Sequence, residues 1–295
     1  MVVFVSRVGQ LANRIIQASY FIVNAMEHGY KLKHIFFDDY YPFFSESLDR
    51  NQLPIRFWCK KPTILGKIFQ KTIFYFTRVL LKLNIRKLPF FELFIYENWE
   101  QDATIIDLND KQYLQKVKSK IVFVSAWLVR DTANFGKHKK LLTDTWKPNE
   151  HFRRTIDNYY EKYKQGHDVL IGVHIRGGDY KIFEGGKWYY TAEQYYLKMQ
   201  ELASLKRFEG KKIGFVICTN EKDISLQDQE NFSVFNEARH SVEDLYLLAK
   251  CDYIIGPPST FSMWASFYGN VPLHMIKEID PVLTDESFGP QTVEF

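Results

Sequence analysis

The sequence predicts an α/β fold in which parallel strands alternate with crossover helices. Short apolar runs alternate along the chain with segments of helical periodicity, which is the pattern of βαβ units. Of the 295 residues, 46% are hydrophobic and 25% are charged, so the chain can bury a core. This length accommodates one large or two modest domains, and the Gln165–Asp168 stretch has the character of a domain junction.

The first elements lie at the amino terminus. We expect Val2–Ser6 to be a buried strand rather than a signal peptide, because no basic region precedes it and no small-residue cleavage site follows it. The turn Arg7–Leu11 leads into a helix near Asn13–His28, which Gly29 ends. A second strand is predicted near His34–Phe37.

The middle of the chain is irregular from Tyr40 to Asn109, after which a buried strand is predicted at Ile121–Ser125 and a helix from Pro148 to about Lys164. The second half is regular and resembles a nucleotide-binding domain. Its predicted elements are the strands Val169–Ile175, Lys212–Cys218 and Tyr253–Ile255 and the helices Thr191–Leu205, Ser241–Ala249 and Thr260–Phe267.

Charge and cysteine content exclude some function classes. The net charge of +4 is too small to indicate nucleic-acid binding. Its distribution is uneven, because Lys60–Lys87 contains eight basic residues and no acidic ones. Cys59, Cys218 and Cys251 are odd in number and lack metal-site spacing, which disfavours a disulfide framework or a zinc site and favours a reducing compartment.

An apolar strand ends in the segment Gly172–Tyr180, which reads Gly-Val-His-Ile-Arg-Gly-Gly-Asp-Tyr. Strand alternation places His174 and Arg176 on the same face, and open α/β sheets bind ligands beyond the carboxyl ends of their strands. A guanidinium is always charged and can bond two oxygens, so Arg176 is suited to a diphosphate. The structural alternative pairs Arg176 with Asp179 and satisfies His174 in the core.

A second polar motif, Gly256–Trp264, also follows a strand and reads Gly-Pro-Pro-Ser-Thr-Phe-Ser-Met-Trp. Ser259 or Thr260 can cap the next helix and leave its first N–H groups free for an anion. Taken alone, such a pair more often only caps a helix. Ser241–Asp244 has a capping-box pattern as well, which taken alone favours a structural role for Asp244.

The turn Arg7–Asn13 contains Gly9, which lets the backbone approach a ligand. Asn13 can cap the helix or direct its amide toward a ligand. The turn lacks the three glycines of the dinucleotide fingerprint. Asp38 and Asp39 follow the second predicted strand and could hold an acceptor hydroxyl, although paired acids in a loop are usually only solvated.

The basic segment predicts an amphipathic helix within residues 64–85. At about 100° per residue, the basic face consists of Lys67, Lys71, Arg78 and Lys82. The apolar face consists of Phe69, Ile73, Phe76, Leu80 and Leu83. Phe74 and Leu81 interrupt the basic face. One interpretation is a peripheral contact with an anionic membrane or a lipid-linked acceptor, and the other is a packed helix with a solvated basic face. No stretch approaches the roughly 18 apolar residues that cross a bilayer.

Taken together and in order, these motifs resemble the family 11 glycosyltransferases, which are α-1,2-fucosyltransferases, and more distantly the α-1,6- and protein O-fucosyltransferases. The family's first loop is matched by Gly9–Arg14, and its His-x-Arg-Arg-x-Asp motif by His174–Asp179. Its Tyr-rich helix start is matched by Tyr189–Tyr196, and its closing pattern by Asp244, Cys251 and Ser259–Trp264. Three positions differ from the family pattern, namely Ala12, Arg14 and Gly177.

The resemblance implies a GT-B-like fold of two Rossmann-like domains whose parallel sheets face a cleft. Residues 1–165 would form the acceptor-side domain and residues 166–295 the domain that binds the GDP-sugar. It also implies transfer of L-fucose from GDP-β-L-fucose with inversion and without a metal or other cofactor, to a glycan hydroxyl, O2 of galactose in the α-1,2 reaction. Such enzymes build carbohydrate such as bacterial surface polysaccharide. We expect a cytoplasmic protein, with any membrane contact at the inner face.

The resemblance further implies roles for individual residues. Arg176 would neutralise the leaving diphosphate and Asn13 would face the donor from the other domain. The remaining candidates for binding substrate are Gly9, His174, Asp179, Asp244, Ser259, Thr260, Phe261 and Ser262. Two alternatives stay open: another metal-independent nucleotide-sugar transferase, or a non-catalytic protein that binds nucleotides or glycans.

Overall fold

The computed structural model describes residues 1–50, 52–95, 105–221, 224, 226–279 and 282–288. The chain divides into two compact units, Met1–Asn149 and Glu150–Phe295. The boundary predicted after residue 165 follows the first helix of the second unit, Glu150–Lys164. Tyr163 of that helix stacks on Phe235, with ring centroids 4.2 Å apart, so the helix packs within the second unit.

The first unit is built on a sheet with one antiparallel edge. In its described part the strands are β1 (Val2–Phe4), β2 (Leu32–His34), β3 (Ile55–Phe57), β4 (Lys87–Leu88), β5 (Phe91–Ile95), β6 (Ile106–Asp107), β7 (Ile121–Ser125) and β8 (Val129–Arg130). The main sheet has the order β3-β2-β1-β7-β5-β4, and its pairs are parallel except β4 with β5. Strands β6 and β8 form a separate parallel pair.

Helices of the first unit connect these strands. Those described are α1 (Leu11–His28), α2 (Tyr41–Arg50), α3 (Ile64–Lys82), α4 (Lys111–Ser119), α5 (Thr132–Lys137) and α6 (Lys139–Thr145). Helix α1 ends as predicted, because Gly29 takes the left-handed conformation with φ of 73°, which costs glycine little. The second strand ends at His34, so the predicted strand near His34–Phe37 begins too late.

The second unit contains one parallel five-stranded sheet. Its described elements are the strands β9 (Val169–Ile175), β10 (Ile213–Thr219), β11 (Phe232–Phe235), β12 (Tyr253–Gly256) and β13 (Leu273–Met275), and the helices α7 (Glu150–Lys164), α8 (Ala192–Ala203), α9 (Ser241–Leu248) and α10 (Thr260–Gly269). The strand order is β11-β10-β9-β12-β13, and every pair is parallel. The predicted α/β fold with parallel sheets is therefore confirmed.

Burial explains why β9 occupies the centre of this sheet. All seven of its residues are buried, which is typical of a parallel strand covered on both faces. Val169, Ile171, Val173 and Ile175 belong to the core that also contains Phe215 of β10 and Tyr195 of α8. An apolar run of this length ending in polar residues brings Arg176 to the sheet edge.

The basic helix α3 is present, but its core-facing side differs from the predicted one. Phe69, Ile73 and Leu80 pack against the core as expected, and so do Phe74 and Leu81. Phe76 and Leu83, predicted on the apolar face, are exposed. The core-facing arc is therefore rotated about the helix axis toward Phe74. In the described part of the chain no helix is both long enough and apolar enough to cross a membrane.

Candidate active site in the second unit

The strand order of the second unit creates a switch point beside β9. From β9 the chain moves outward to β10 and β11, then returns to form β12 on the other side of β9. The loops after β9 and β12 consequently leave the same sheet edge in opposite directions. In open α/β sheets this is the crevice that binds ligands. The loops at this position are Arg176–Lys181 and Pro257–Ser259.

Arg176 follows β9 directly and is mostly buried, with a side chain 15% exposed. Its Nη2 lies 2.9 Å from Asp179 Oδ1 and donates to Asp179 Oδ2 at 3.0 Å. The guanidinium carbon lies 5.4 Å from the centre of the Tyr180 ring. Its Nε is buried without a hydrogen-bond partner among the described residues. A buried cationic donor left unpaired is costly, so this nitrogen is suited to an anionic ligand.

His174 lies on the same face of β9, as strand alternation predicted, and is buried. Burial and, secondarily, the charge of Arg176 lower the pKa of His174 to about 3, so the ring is neutral near pH 7. Its Nδ1 also lacks a partner among the described residues. The ring centroid lies 5.0 Å from that of Phe261 in α10. Two unpartnered polar nitrogens therefore lie near the switch point.

The loops after β9 and β12 are joined by direct contacts. The Tyr180 hydroxyl donates to the Pro258 carbonyl oxygen at 2.7 Å. A Cβ at Gly256 would come within 2.9 Å of the His174 backbone oxygen, so glycine permits this close approach of β12 to β9. These contacts hold Arg176 and the amino terminus of α10 in one cluster.

The amino terminus of α10 is capped as predicted. Ser259 is the N-cap, and its Oγ accepts from Phe261 N at 3.3 Å. The Ser262 hydroxyl is buried and donates to the Ser259 carbonyl oxygen at 3.1 Å. The Ser259 and Ser262 hydroxyls thus both serve the helix start. What Thr260–Ser262 offer to an anion is the positive end of the helix dipole.

A third loop contributes residues that the sequence analysis did not identify. Asn220 Oδ1, just after β10, accepts from Gly177 N at 2.9 Å. Glu221 fills the space beside Gly177, where an added Cβ would collide with its carboxyl group. Glu221 also lies 3.1 Å from Lys181 Nζ. The signal that was available is the position of these polar residues directly after a buried strand next to β9.

Asp244 pairs with Arg239 and not with Arg176, whose partner is Asp179. Arg239 Nε donates to Asp244 Oδ1 at 2.8 Å, and the Arg239 side chain is fully buried. Arg239 also donates to the Tyr163 hydroxyl at 3.0 Å. Burial raises the pKa of Asp244 even though Arg239 lowers it. The helix cap is formed by His240 with Glu243, so the predicted capping box at Ser241 and Asp244 is wrong by one residue.

In the first unit, Gly9 and Asn13 form a compact turn. Gly9 has a φ of 60°, and a Cβ there would collide with the Asn13 side chain. Asn13 does not cap α1, because the N-cap is Gln10. Arg14 is buried, and its Nε donates to the Gly9 carbonyl oxygen at 3.1 Å. The turn is therefore braced from within the helix.

Asp38 lies in a polar cluster of the first unit and is 1% exposed. Arg7 Nη2 lies 3.2 Å from each of its oxygens, and Gln70 Nε2 donates to Oδ1 at 2.6 Å. Through these contacts, the Asp38 carboxylate joins Arg7 to Gln70 of α3 within the first unit. Asp39 is more exposed and lies 3.3 Å from Arg14.

The sequence of the second unit matches a known enzyme family. Residues 145–277 match the model of Glycosyl transferase family 11. The predicted resemblance to family 11 is confirmed. The family 11 match covers β9 to β13, and with them the switch point, Arg176 and the start of α10. No curated protein sequence matches the chain.

Solved structures of fucosyltransferases share the fold. A mutant of Arabidopsis thaliana FUT1 in complex with GDP has a TM-score of 0.60 and 14% identity, over 93% of this chain and 70% of that chain. NodZ α-1,6-fucosyltransferase co-crystallised with GDP has a TM-score of 0.57 and 17% identity, over 93% of this chain and 94% of that chain. NodZ is from Bradyrhizobium. POFUT1 in complex with GDP-fucose has a TM-score of 0.50 and 13% identity, over 96% of each chain. The fold is GT-B-like.

A separate question is whether residues of this chain could hold a metal. Within the ranges that the structure describes, no group of three or more His, Cys, Asp or Glu side chains is placed to bind a metal ion. Near the switch point, the mostly buried cation is that of Arg176, and polar groups are offered by His174 and the start of α10.

Proposed function

We propose that this protein transfers L-fucose from GDP-β-L-fucose to a glycan hydroxyl, with the donor diphosphate at the switch point of the second unit. The observation that carries the proposal is the buried Arg176 Nε without a partner, next to the loop that starts α10. The family 11 match over residues 145–277 supports it. So do the GDP and GDP-fucose of the solved structures with this fold.

Arg176 acts on the leaving group in this proposal. As the bond between fucose C1 and the β-phosphate oxygen breaks, negative charge develops on the diphosphate. A fixed guanidinium stabilises that charge more in the transition state than in the ground state, which raises the rate. Asp179 pairs with Nη2 of the guanidinium, and Nε has no partner among the described residues; in this proposal Nε binds the diphosphate.

The other candidate residues complete the donor site. The dipole of α10 and the backbone of Ser259, Thr260, Phe261 and Ser262 would hold the diphosphate. His174, neutral at pH 7, would position it through Nδ1. Gly9 and Asn13 would contact the GDP-fucose donor. Asp244 would contact its nucleoside, although in this structure Asp244 pairs with Arg239.

Acceptor and stereochemistry are part of the same proposal. The acceptor oxygen bonds to C1 from the face opposite GDP, so the β-linked donor gives an α-L-fucoside, here on O2 of a galactose, without a metal. The acceptor proton passes to a base that remains unassigned, and a donor phosphate oxygen is one candidate for it. We place the reaction in the cytoplasm, with a peripheral contact of residues 64–85 at the inner membrane face, in the synthesis of surface polysaccharide.

Calorimetric titration with GDP and UDP in EDTA tests the donor site. We expect GDP to bind with a micromolar Kd and UDP at least tenfold more weakly. Arg176→Ala should weaken GDP binding at least tenfold while leaving the thermal unfolding temperature unchanged. Arg154→Ala is the matched control, because Arg154 pairs with Glu150 on the surface of α7.

Three outcomes would overturn the donor assignment. These are a preference for UDP, a requirement for a divalent metal, and equal GDP binding by the Arg176→Ala variant. Binding of GDP without any transfer from GDP-fucose would instead favour the non-catalytic alternative.

A further inference from the structure

Helix α3 carries a second apolar face that no part of the described chain covers. We name this the outer face, and it consists of Ile64, Leu65, Ile68, Tyr75, Phe76 and Val79. These side chains are between 48% and 80% exposed. Leu83, which follows the helix, is 63% exposed. Single exposed apolar residues are ordinary, but a continuous face of them marks an interaction surface.

The outer face is distinct from the face that packs against the sheet. Phe69, Ile73, Phe74, Leu80 and Leu81 contact the core of the first unit. Gln70 is buried and donates to the Ile35 carbonyl oxygen at 2.9 Å as well as to Asp38. Turning the outer face inward would break these contacts, so the helix is held with this face outward.

Basic residues border the outer face along the helix. At about 100° per residue, Lys67, Lys71, Arg78 and Lys82 occupy the arc between the outer face and the core-facing side. No acidic residue occurs between Lys60 and Lys87. The 19 residues of the helix span about 28 Å. A helix with this arrangement is suited to lie in the interface of an anionic bilayer.

We propose that α3 docks the first unit on an anionic phospholipid membrane through its outer face. The apolar side chains enter the boundary between headgroups and acyl chains, and the bordering cations contact lipid phosphates. This inference rests on the membrane contact of the proposed function and names its surface. It is independent of the donor chemistry, because none of these side chains belongs to the switch point of the second unit.

Charge complementarity selects this occupant. A second copy of the same chain would bring the four cations that border the outer face against the same four, which is unfavourable at ordinary salt. A bilayer of anionic lipid offers both the negative charge and the apolar layer that the face requires.

Flotation of the full chain with vesicles tests the proposal without any nucleotide. We expect binding to vesicles of phosphatidylcholine with phosphatidylglycerol and at least tenfold less to phosphatidylcholine alone, with a decrease at high salt. The outer-face variant Leu65→Ser, Ile68→Ser, Val79→Ser and the charge variant Lys67→Gln, Lys71→Gln, Lys82→Gln should each bind at least tenfold less.

Two control variants carry the same number and kind of substitutions at exposed positions outside α3. Met26→Ser, Ile105→Ser, Leu197→Ser removes three exposed apolar residues elsewhere, and Lys111→Gln, Lys118→Gln, Lys211→Gln removes three exposed cations elsewhere. Both controls should bind vesicles like the unchanged protein. All variants should keep their thermal unfolding temperature and their transfer rate with a water-soluble acceptor.

Three results would overturn the docking surface. The first is no binding to anionic vesicles, and the second is equal loss in the outer-face variant and its control. The third is a dimer in sedimentation equilibrium that the outer-face variant abolishes, which would assign the face to a second copy. A failure of GDP binding with intact vesicle binding would count against the proposed chemistry alone.

Discussion

The Tyr180 hydroxyl donates a hydrogen bond of 2.7 Å to the carbonyl oxygen of Pro258, and this bond joins the two loops at the switch point. One loop carries Arg176 and the other leads into α10 through Ser259. Binding of a diphosphate by both groups requires that they keep a fixed separation. The hydrogen bond is therefore a positioning contact for the proposed donor site.

Removing this bond should weaken the donor site without unfolding the protein. Tyr180→Phe keeps the ring beside Arg176 and deletes the hydroxyl, which is worth about 0.5–1.5 kcal/mol for a typical hydrogen bond. We expect GDP affinity, measured by calorimetry, to fall about threefold to tenfold. Tyr75→Phe, on the exposed part of α3, is the control. Unchanged affinity in Tyr180→Phe would show that the loops keep their positions without the bond.

Gly177 and Glu221 should be energetically coupled. A Cβ at Gly177 would collide with the Glu221 carboxyl group, so Gly177→Ala should lower the free energy of unfolding by about 1–3 kcal/mol. In the background of Glu221→Ala the same change should cost clearly less, which urea unfolding of the double-mutant cycle would measure. Gly136→Ala meets nothing within 4 Å and should be neutral or stabilising. Strict additivity would contradict the packing that we describe.

Asp179 and Asp244, both candidate site residues of the second unit, should respond differently to loss of charge. Asp244→Asn leaves the fully buried Arg239 without its counter-charge, and we expect a loss of about 3–5 kcal/mol in the free energy of unfolding. Asp179→Asn affects a carboxylate that is 57% exposed, so its effect on stability should stay below about 1 kcal/mol. Because Asp179 orients Arg176, that variant should instead weaken GDP binding.

Urea unfolding and GDP titration of both variants separate the roles. Full stability of Asp244→Asn would contradict the structural role of its pairing with Arg239, whereas lost GDP affinity in that variant would support the proposed nucleoside contact.

Acidification should destabilise the protein through two buried histidines. Burial lowers the pKa of His34 and of His174 from 6.5 to about 3. Below pH 6.5 the unfolded chain therefore binds protons that the folded chain does not, and stability falls as the pH falls toward 3. At a pH of about 5 each histidine should cost about 2 kcal/mol.

His34→Phe isolates one of these contributions. The His34 ring stacks on Phe4 with centroids 4.5 Å apart, so a phenyl ring preserves much of the packing. Urea unfolding at neutral and acidic pH should give a smaller loss of stability in this variant than in the unchanged protein. An identical pH dependence would contradict the assignment to His34.

Much of the second unit could be predicted from its sequence because local signals and tertiary structure agree there. The apolar run that ends at Arg176 makes β9 a buried central strand, and Ser259 caps α10 where its position after a strand suggests. Both segments lie within residues 145–277, which match the family 11 model. By contrast, the Tyr180 hydroxyl donates to Pro258 in a distant loop, and Arg239, which pairs with Asp244, also donates to Tyr163 of another helix. No local spacing reveals these contacts.

The orientation of α3 illustrates a limit of periodicity. Both Phe74 and Phe76 are apolar, and the helical pattern alone favours Phe76 as the core-facing residue. The tertiary contact between Gln70 and Asp38 selects the other orientation. As a result, the sequence predicted a basic amphipathic helix but not the exposed apolar face that it carries.

Fucosyl transfer measured in EDTA with GDP-fucose and a galactose-terminated acceptor tests the central claim most directly. Mass spectrometry of the product reports transfer, and NMR of the new linkage reports its anomeric configuration and position. We predict an α-L-fucoside on O2 of galactose, a rate at least about a hundredfold lower for Arg176→Ala, and an unchanged rate for Arg154→Ala. Near-normal turnover by Arg176→Ala, or no transfer by the unchanged protein, would contradict the account.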